Sequence, residues 1–475
     1  MRARDLFSTY MHLRPFSPLL VSLVAALQFA SCANDAGQGE EQIPPITEPP
    51  AVAETPQTEG DGAAGTITVD PSTKYQTIDG FGTTMGMFDS PHLNGVHNSN
   101  VGGISMTQAE KDTIYDLLYS RTKGIGLNRL RVHLIEPGWQ PEEGARINAD
   151  MGYPGPTGSA VMEFIRQSKL RNPALLTGFQ IGRFDSWINK NTDPLIIARY
   201  IKTGLDYARA NGHEPDWVGV VNEPTLAPVS FSPEKLRDIT IALKNLLAAD
   251  GYLTRASAPD DVADGAGAPK AAVILADPQA RSFLKSLSIH LYTDESPTEM
   301  MALSKQYNLP LWMTEYGDGD TRDLMWASNI VHEMLVTYNC AAVDMLFGFI
   351  GSTANGAPNA SYISLISNGP AYLGYKIASS YYQTGHWSRY VTRGSVRIEA
   401  ASTNPSIKAS AFLVDGKKVI VLINKGGGNE AVTIPAGNFR AIRTQMTGTD
   451  RLTDKGLFTS AIVLPRMSIT TLIER

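Results

Sequence analysis

Two glutamates each follow a short apolar run, and their positions indicate acid, base or nucleophilic chemistry. Glu223 follows the run WVGVVN at 217–222, and Glu315 follows LPLWMT at 309–314. Functional side chains of a parallel α/β fold gather where strands end, so these two acids are predicted to face one pocket. Cleavage of a glycosidic bond needs such a pair. One carboxyl group donates a proton to the leaving oxygen, and the other attacks the anomeric carbon or activates water.

A single glutamate after a strand is ordinary in a chain with 47 acidic residues, where it caps a helix or meets solvent. The pair is more informative because Asn222 precedes one acid and Trp312 lies near the other. Asn222 is placed to hydrogen-bond a sugar hydroxyl beside the reacting carbon. Pro224 stiffens the turn that aims Glu223.

Strand and helix patterns alternate through the region that carries both glutamates. Eight candidate strands lie at 77–82, 128–134, 174–179, 218–222, 272–276, 287–291, 311–315 and 342–347. Helix start signals stand between them, including a capping box at Thr107 and a cap with a first-turn proline at Ser232 and Pro233. Eight such pairs predict an α/β fold, a (β/α)8 TIM barrel. A doubly wound sheet is the alternative, but the DGFG at 79–82 lacks the third glycine and the following helix of a dinucleotide-binding loop.

The periodicity changes after about residue 390 to short alternating strands. Candidate strands lie at 396–400, 407–414, 418–422, 431–434, 439–445 and 468–473. Turn signals such as Asp415-Gly416 separate them. We therefore expect a catalytic barrel over 66–390 and a C-terminal side β-sandwich over 391–475.

The N-terminal 32 residues have the features of an export signal. Three arginines stand in the first fourteen residues, an apolar stretch covers 19–27, and small residues precede Cys32. The apolar stretch is too short to span a bilayer. We expect lipidation of Cys32 and a bacterial cell-envelope lipoprotein; the alternative is cleavage after Ala30 or Ala33, which yields a secreted or periplasmic enzyme. Residues 33–65 are rich in Pro, Glu, Gly and Thr and are predicted to be a disordered linker.

The charge and the histidine spacing of the chain argue against nucleic acid, metal ions and cofactors as ligands. The formal net charge of −6 and the pI near 5.8 give no electrostatic footprint for nucleic acid, which leaves a neutral polymer as a natural ligand. The eight histidines are scattered without ligand spacing, so no metal and no cofactor is expected. His92 is expected to be a solvated loop residue, and the alternative is that it lines the sugar site. Cys340 is expected to be a buried small hydrophobe.

Four motifs together resemble glycoside hydrolase family 30 of clan A. They are YQTIDGFG at 75–82, NEP at 222–224, TEYG at 314–317 and YQTGHWSRY at 382–390. The last is the most specific, because few families join a barrel to a sandwich through such a stretch. The resemblance covers about 65–475. It implies a retaining glycosidase with a (β/α)8 barrel and a side sandwich that also contains the strand at about 66–70.

The resemblance also implies roles for individual residues. Glu223 is the expected general acid/base and Glu315 the expected nucleophile, with Asn222 on the 2-hydroxyl of the sugar. Arg131 is expected to keep Glu315 ionised through its charge, with Arg129 in the same strand as its rival.

His290 and Tyr292 are similar to a histidine and a tyrosine of the family's pocket. The tyrosine hydroxyl would orient the nucleophile, while His290 is equally consistent with a core histidine. His386, in the fourth motif, is expected to pack where the two domains meet.

Other positions depart from the family pattern, so the substrate is not inherited from it. The segment 177–187 lacks the usual Trp-Ser-Pro-Pro stretch, and Phe347 and Phe349 stand where a pocket tryptophan is usual. Three tryptophans are candidate sugar-stacking platforms, with core packing as the alternative for each: Trp139, Trp187 and Trp312.

Together these observations predict a monomeric retaining β-glycoside hydrolase that acts on a β-linked oligosaccharide or polysaccharide. Contact with a membrane is expected only through the anchor at Cys32. The alternative is a catalytically silent glycan-binding lipoprotein at the cell surface. The intact pair of carboxylates beside Asn222 disfavours it, since a pure binder does not need these groups together.

Overall fold

The structure is a computed structural model that describes residues 57–58, 65–84, 104–135, 147–148, 153–154, 158–181, 187–226, 230–293, 295–317, 324–353, 361–368 and 370–475. These residues all fall within the compact unit Pro45–Arg475. The predicted signal peptide and Cys32, most of the predicted linker, His92 and Trp139 lie outside the described residues.

The described parts of the chain form the following elements. The strands are β1 (Gly65–Thr77), β2 (Gly80–Thr84), β3 (Arg129–Ile135), β4 (Ile147–Asn148), β5 (Tyr153–Pro154), β6 (Leu176–Ile181), β7 (Trp217–Gly219), β8 (Arg255–Asp261), β9 (Leu284–Leu291), β10 (Leu311–Tyr316), β11 (Ala342–Met345), β12 (Phe347–Thr353), β13 (Ser361–Asn368), β14 (Ala371–Ile377), β15 (Val396–Ser402), β16 (Ile407–Val414), β17 (Lys417–Asn424), β18 (Glu430–Thr433), β19 (Phe439–Gln445), β20 (Thr453–Phe458), β21 (Ala461–Leu464) and β22 (Ser468–Glu474). The helices are α1 (Gln108–Tyr119), α2 (Gly158–Arg171), α3 (Pro194–Ala210), α4 (Pro233–Ala249), α5 (Asp264–Ala276), α6 (Pro278–Phe283), α7 (Thr298–Tyr307), α8 (Trp326–Val336) and α9 (Ser379–Ser388).

Eight parallel strands close into a barrel in the order β2, β3, β6, β7, β8, β9, β10, β11. Strands buried on both faces read as continuous apolar runs, as in β7, whose three residues are all buried. The predicted TIM barrel is confirmed.

The fifth barrel strand differs from the prediction. The segment 272–276 belongs to helix α5, and the strand is β8, which pairs with β7 and β9. A short apolar run fits a buried helix as well as a strand, and here the helix is 13 residues long. Pro259 and the two aspartates after it made the sequence of β8 typical of a loop, because proline and aspartate are depleted in strands.

The helix start signals are borne out. Thr107 forms the capping box with Glu110 at the start of α1. The hydroxyl of Ser232 accepts the backbone N–H of Lys235 at 3.2 Å, and Pro233 opens α4. These caps fix where two helices that pack on the barrel begin.

The C-terminal strands form the predicted sandwich, so the fold class is confirmed in full. Seven strands pair in the order β20, β19, β22, β17, β16, β15, β1, and β1 also pairs with β18, which pairs with β21. Buried side chains of β18 and β21 pack with those of the larger sheet in one apolar cluster. Strand β1 is the N-terminal strand that the family resemblance implied. The sequence prediction missed β20 and β21.

Helix α9 carries the fourth motif and joins the sandwich to the barrel. His386 is fully buried, and its Nδ1 lies 2.8 Å from the hydroxyl of Thr471 in β22. The hydroxyl of Ser388 donates to the carbonyl of Ile125, just before the second barrel strand, at 2.7 Å. The histidine therefore packs at the junction, as expected from the sequence.

A small sheet of β12, β13 and β14 follows the last barrel strand. Phe349 of β12 is fully buried against Phe164 of α2, with ring centroids 5.9 Å apart. It is therefore a core residue. Within the described ranges, no helix is long and apolar enough to cross a membrane.

Candidate active site

Five barrel strands bring polar side chains together at their carboxyl ends. Arg131 comes from β3, Glu223 follows β7, Asp260 comes from β8, His290 from β9 and Glu315 from β10. Four of these side chains are at most 5% exposed, and Glu223 is 20% exposed. The cluster is thus a buried charge network that reaches solvent through Glu223.

Glu223 lies in the turn that follows the fourth barrel strand, four residues after Gly219. Its φ of 48° lies in the left-handed region, which is uncommon for a residue with a side chain. Its backbone N–H donates to the carbonyl oxygen of Asp260 at 3.0 Å. Its carboxylate Oε1 lies 3.1 Å from Nδ1 of His290. The turn therefore aims the side chain at the centre of the cluster, where one proton can be shared with the imidazole.

Glu315 is held by contacts to both carboxylate oxygens. Nη1 of Arg131 donates to Oε1, and the hydroxyl of Tyr292 donates to Oε2 at 2.6 Å. Burial opposes ionisation, but the charges of His290 and Arg131 outweigh it and lower the pKa of Glu315. The carboxylate is therefore kept ionised and oriented, as a nucleophile must be.

The two glutamates are close enough to act on the same bond. An oxygen of Glu223 and an oxygen of Glu315 lie within 4.8 Å of each other. Carboxyl groups of retaining glycosidases stand about 5–5.5 Å apart, whereas those of inverting enzymes stand about 6.5–9.5 Å apart. This proximity is closer to the shorter of the two separations.

The same two acids and His290 have the spacing of a three-ligand metal site. Arg131 already places a positive charge on Glu315, and Tyr292 occupies its second oxygen. A divalent cation would have to displace the guanidinium or approach it closely. The donor set fits proton transfer better than metal binding, and the absence of a metal stays a prediction.

Two arginines of β3 were candidates for the partner of Glu315, and their contacts distinguish them. Nη2 of Arg131 donates to Asn222 and to Asp260, each at 2.7 Å, in addition to the contact with Glu315. Arg129 instead pairs with Asp344 at 2.9 Å, away from both glutamates. The structure thus brings together six of the residues predicted for the site: Arg131, Asn222, Glu223, His290, Tyr292 and Glu315.

Asp260 belongs to this cluster and was missed from the sequence. Its Oδ2 accepts from Arg131, its Oδ1 accepts from the hydroxyl of Thr314, and Oδ1 lies 3.6 Å from Nε2 of His290. Burial opposes its ionisation, but Arg131 and His290 lower its pKa below the ordinary value. Burial likewise disfavours the imidazolium, yet the charges of Glu315 and Asp260 raise the pKa of His290 to about 10.

The three candidate stacking tryptophans have different outcomes. Trp312 is fully buried, and its Nε1 donates to Asp79 at 2.7 Å, so the prediction of a sugar platform is wrong. Trp187 is 52% exposed and contacts Tyr200 edge to face, so its role in stacking stays a prediction. Trp139 lies outside the described residues.

Comparisons with known families and proteins agree with the barrel and sandwich described above. A model described as the glycosyl hydrolase family 30 beta sandwich domain matches residues 394–472. Glucuronoxylanase XynC from Bacillus subtilis (strain 168) is 24% identical over 462 residues, which cover 86% of this chain and 92% of that protein.

Solved structures show the same fold. The catalytic domain of a family 30 xylanase C from Talaromyces cellulolyticus superposes with a TM-score of 0.64 at 19% identity, covering 86% of this chain and all of that chain. An endo-β1,6-glucanase superposes with a TM-score of 0.65 at 20% identity, covering 86% of this chain and 93% of that chain. Proteins named for different linkages therefore share this architecture.

Proposed function

Because the chain is a glycosidase of glycoside hydrolase family 30, as its motifs predicted, we propose that it cleaves a β-linked oligosaccharide or polysaccharide with retention of configuration. The observation that supports this best is the pair of carboxylates within 4.8 Å, one ionised and clamped, the other beside an imidazole. Two displacements at one carbon then preserve its configuration.

In the first displacement, Glu315 attacks the anomeric carbon while Glu223 donates a proton to the leaving oxygen. Arg131 and Tyr292 hold the nucleophile on its two oxygens, so little reorganisation is needed when the bond forms. The products are a covalent glycosyl-enzyme and the released alcohol of the leaving group.

In the second displacement, the ionised Glu223 removes a proton from water, which attacks the same carbon and frees Glu315. The contact with His290 keeps the Glu223 carboxylate oriented through both steps. Asn222, whose Oδ1 accepts from Arg131, is held where its amide can reach the 2-hydroxyl of the sugar.

The stereochemical course tests this proposal. Hydrolysis of an aryl β-glycoside is followed by proton NMR, and the first-formed sugar is expected to have the β-configuration. A first product of α-configuration would contradict the two-displacement mechanism. Saturable glycan binding without any turnover would favour the silent binding protein instead.

We propose a β-linked polysaccharide as the substrate class, because the named relatives include a glucuronoxylanase and an endo-β1,6-glucanase. The exposed ring of Trp187 offers a surface on which a sugar can stack. Product analysis on xylans, β-glucans and galactans, with Trp187→Ala as the comparison, tests both points. The variant is expected to lose more activity on polymer than on a small aryl glycoside.

We also propose that the protein is exported and anchored through Cys32, on the pattern of charged, apolar and small residues before it. Wild-type protein should then partition into detergent, and Cys32→Ser should move it to the soluble fraction. Equal partitioning of both forms would argue for secretion without an anchor.

A further inference from the structure

Asp260 is a buried side chain of the cluster whose contacts lead to both glutamates. Its carboxylate binds Arg131, which binds Glu315, and it binds Thr314, the residue before Glu315 in the chain. It also faces His290, which contacts Glu223.

A second link to Glu223 runs through the backbone. The carbonyl oxygen of Asp260 accepts the N–H of Glu223 at 3.0 Å. Both residues have positive φ, 61° for Asp260 in strand β8 and 48° for Glu223, so this bond ties together two residues in sparsely populated backbone conformations. Such conformations persist only where surrounding contacts hold them, and Asp260 supplies several of these contacts.

We propose that Asp260 is a positioning residue that sets the geometry of the acid/base and the nucleophile at the same time. It acts on Glu315 through Arg131 and Thr314, and on Glu223 through His290 and its own carbonyl oxygen. This inference rests on the proposed roles of the two glutamates. Asp260 does not touch the reacting atoms in this scheme.

The charge of Asp260 has a consequence that packing alone does not have. The ionisable groups around it are Arg131, His133, Glu223, His290, Glu315 and Asp344. A buried carboxylate favours the protonated form of each ionisable neighbour. Removing its charge therefore moves the ionisations that control activity to lower pH.

The test is Asp260→Asn, which keeps the size of the side chain and removes the charge. We expect kcat to fall about 100-fold with KM nearly unchanged, because a small misplacement of reacting groups is most costly in the transition state. Both limbs of the pH profile of kcat/KM should move to lower pH by roughly one unit.

Asp344→Asn is the matched control. Asp344 is an equally buried carboxylate of the barrel. It pairs with Arg129, which lies in the same strand as Arg131, and it contacts neither glutamate. Its removal should change thermal stability and should move the pH limbs less than Asp260→Asn does. Equal movement in the two variants, or an unchanged kcat in folded Asp260→Asn, would overturn the proposal.

Thr314→Val decides the case in which Asp260→Asn is not recovered folded. It removes the hydroxyl that binds Asp260 and leaves every charge in place. A lower kcat with unshifted pH limbs supports the proposal, and an unchanged kcat contradicts it. Failure of the proposed function looks different, since Glu315→Gln would then keep its activity.

Discussion

Two arginines of one strand show how the barrel uses the same chemistry in two ways. Arg129 and Arg131 lie two residues apart in β3, so both point into the barrel. Each is at most 1% exposed, and each binds a carboxylate. They differ in what closes the space around them.

Two tryptophan rings pack against the guanidinium group of Arg129. Its guanidinium carbon lies 4.5 Å from the ring centroid of Trp217 and 4.1 Å from that of Trp312. One partner, Asp344, binds it in a bidentate fashion, at 3.0 and 2.9 Å. Burial raises the pKa of Asp344 even though Arg129 lowers it. The layer around Arg129 consists of four side chains, each at most 1% exposed: Arg129, Asp344, Trp217 and Trp312.

The layer around Arg131 is open and contains more negative charge. Arg131 binds oxygens of Glu315, Asp260 and Asn222, and the pKa of both acids is lowered. Arg131 therefore differs from Arg129 in holding more than one acceptor and in belonging to a cluster that reaches solvent through Glu223.

The largest expected effect is the loss of Glu315, the proposed nucleophile, from the layer around Arg131. Glu315→Gln should lower kcat on every substrate by about 10⁴-fold or more, because no group remains to form the covalent intermediate. Added azide should give no β-glycosyl azide. Substantial remaining turnover, measured with an aryl glycoside, would remove Glu315 from this role.

Glu223→Gly should fail differently from Glu315→Gln. Unactivated substrates should lose about 10²- to 10⁴-fold in kcat/KM, since general acid catalysis contributes that much. Dinitrophenyl glycosides should still glycosylate Glu315, because their leaving oxygen barely needs a proton, and azide should rescue turnover as a β-glycosyl azide.

Glycine suits the backbone at this position, where φ is 48°, so the fold of Glu223→Gly should be kept. Circular dichroism and thermal unfolding provide the control. Equal losses on activated and unactivated substrates, without an azide response, would contradict the assigned roles.

Substitutions in the layer around Arg129 should change the stability of the protein and leave its kcat nearly unchanged. Arg129→Met strands the Asp344 carboxylate and should lower the free energy of unfolding by about 3–5 kcal/mol. The double variant Arg129→Met/Asp344→Asn should regain part of that loss, because the stranded charge is removed. The folded fraction of both variants should keep kcat within about threefold of wild type. A large drop in kcat would mean that the two layers are not separate.

The smallest effect is a difference in how stability depends on pH. Glu315 has a lowered pKa in the folded protein, so its contribution is present above its unfolded pKa and is lost as pH falls through the folded value. Asp344 has a raised pKa, so its contribution is lost as pH rises through the folded value.

Urea unfolding between pH 3 and 7 measures this difference. The stability of wild type relative to Glu315→Gln should decrease as pH falls. Relative to Asp344→Asn it should increase over the same range. The same sign for both variants would contradict the contrast between the layers.

Much of the site was predictable because strand ends in a barrel share one rim. Glu223 and Glu315 follow apolar runs that are long enough to identify as strands, and the family resemblance supplied roles for Asn222, Arg131, His290 and Tyr292. Asp260 was not predictable in this way, because the strand that carries it contains Pro259 and reads as a loop.

The orientation of Trp312 was not predictable, for a different reason. Simple alternation puts residues 312 and 315 on opposite faces of a strand. An irregularity in the pairing of β10 with β9 falls between Met313 and Glu315, and both Trp312 and Glu315 contact arginines inside the barrel. Bulges of this kind depend on neighbouring strands, so no local pattern in the sequence reports them.

Strand β1 has a consequence for how the chain matures during synthesis. It is the first strand of the described fold to leave the ribosome, yet its residue Asp70 pairs with Glu399 in β15. At about 5–20 residues per second, translation of the roughly 330 residues between these partners takes about 20–70 seconds. Throughout that interval the edge of β1 has no strand to pair with, and an unpaired edge invites association with other chains. Slower translation, or a pause before β15 emerges, should therefore lower the yield of folded protein.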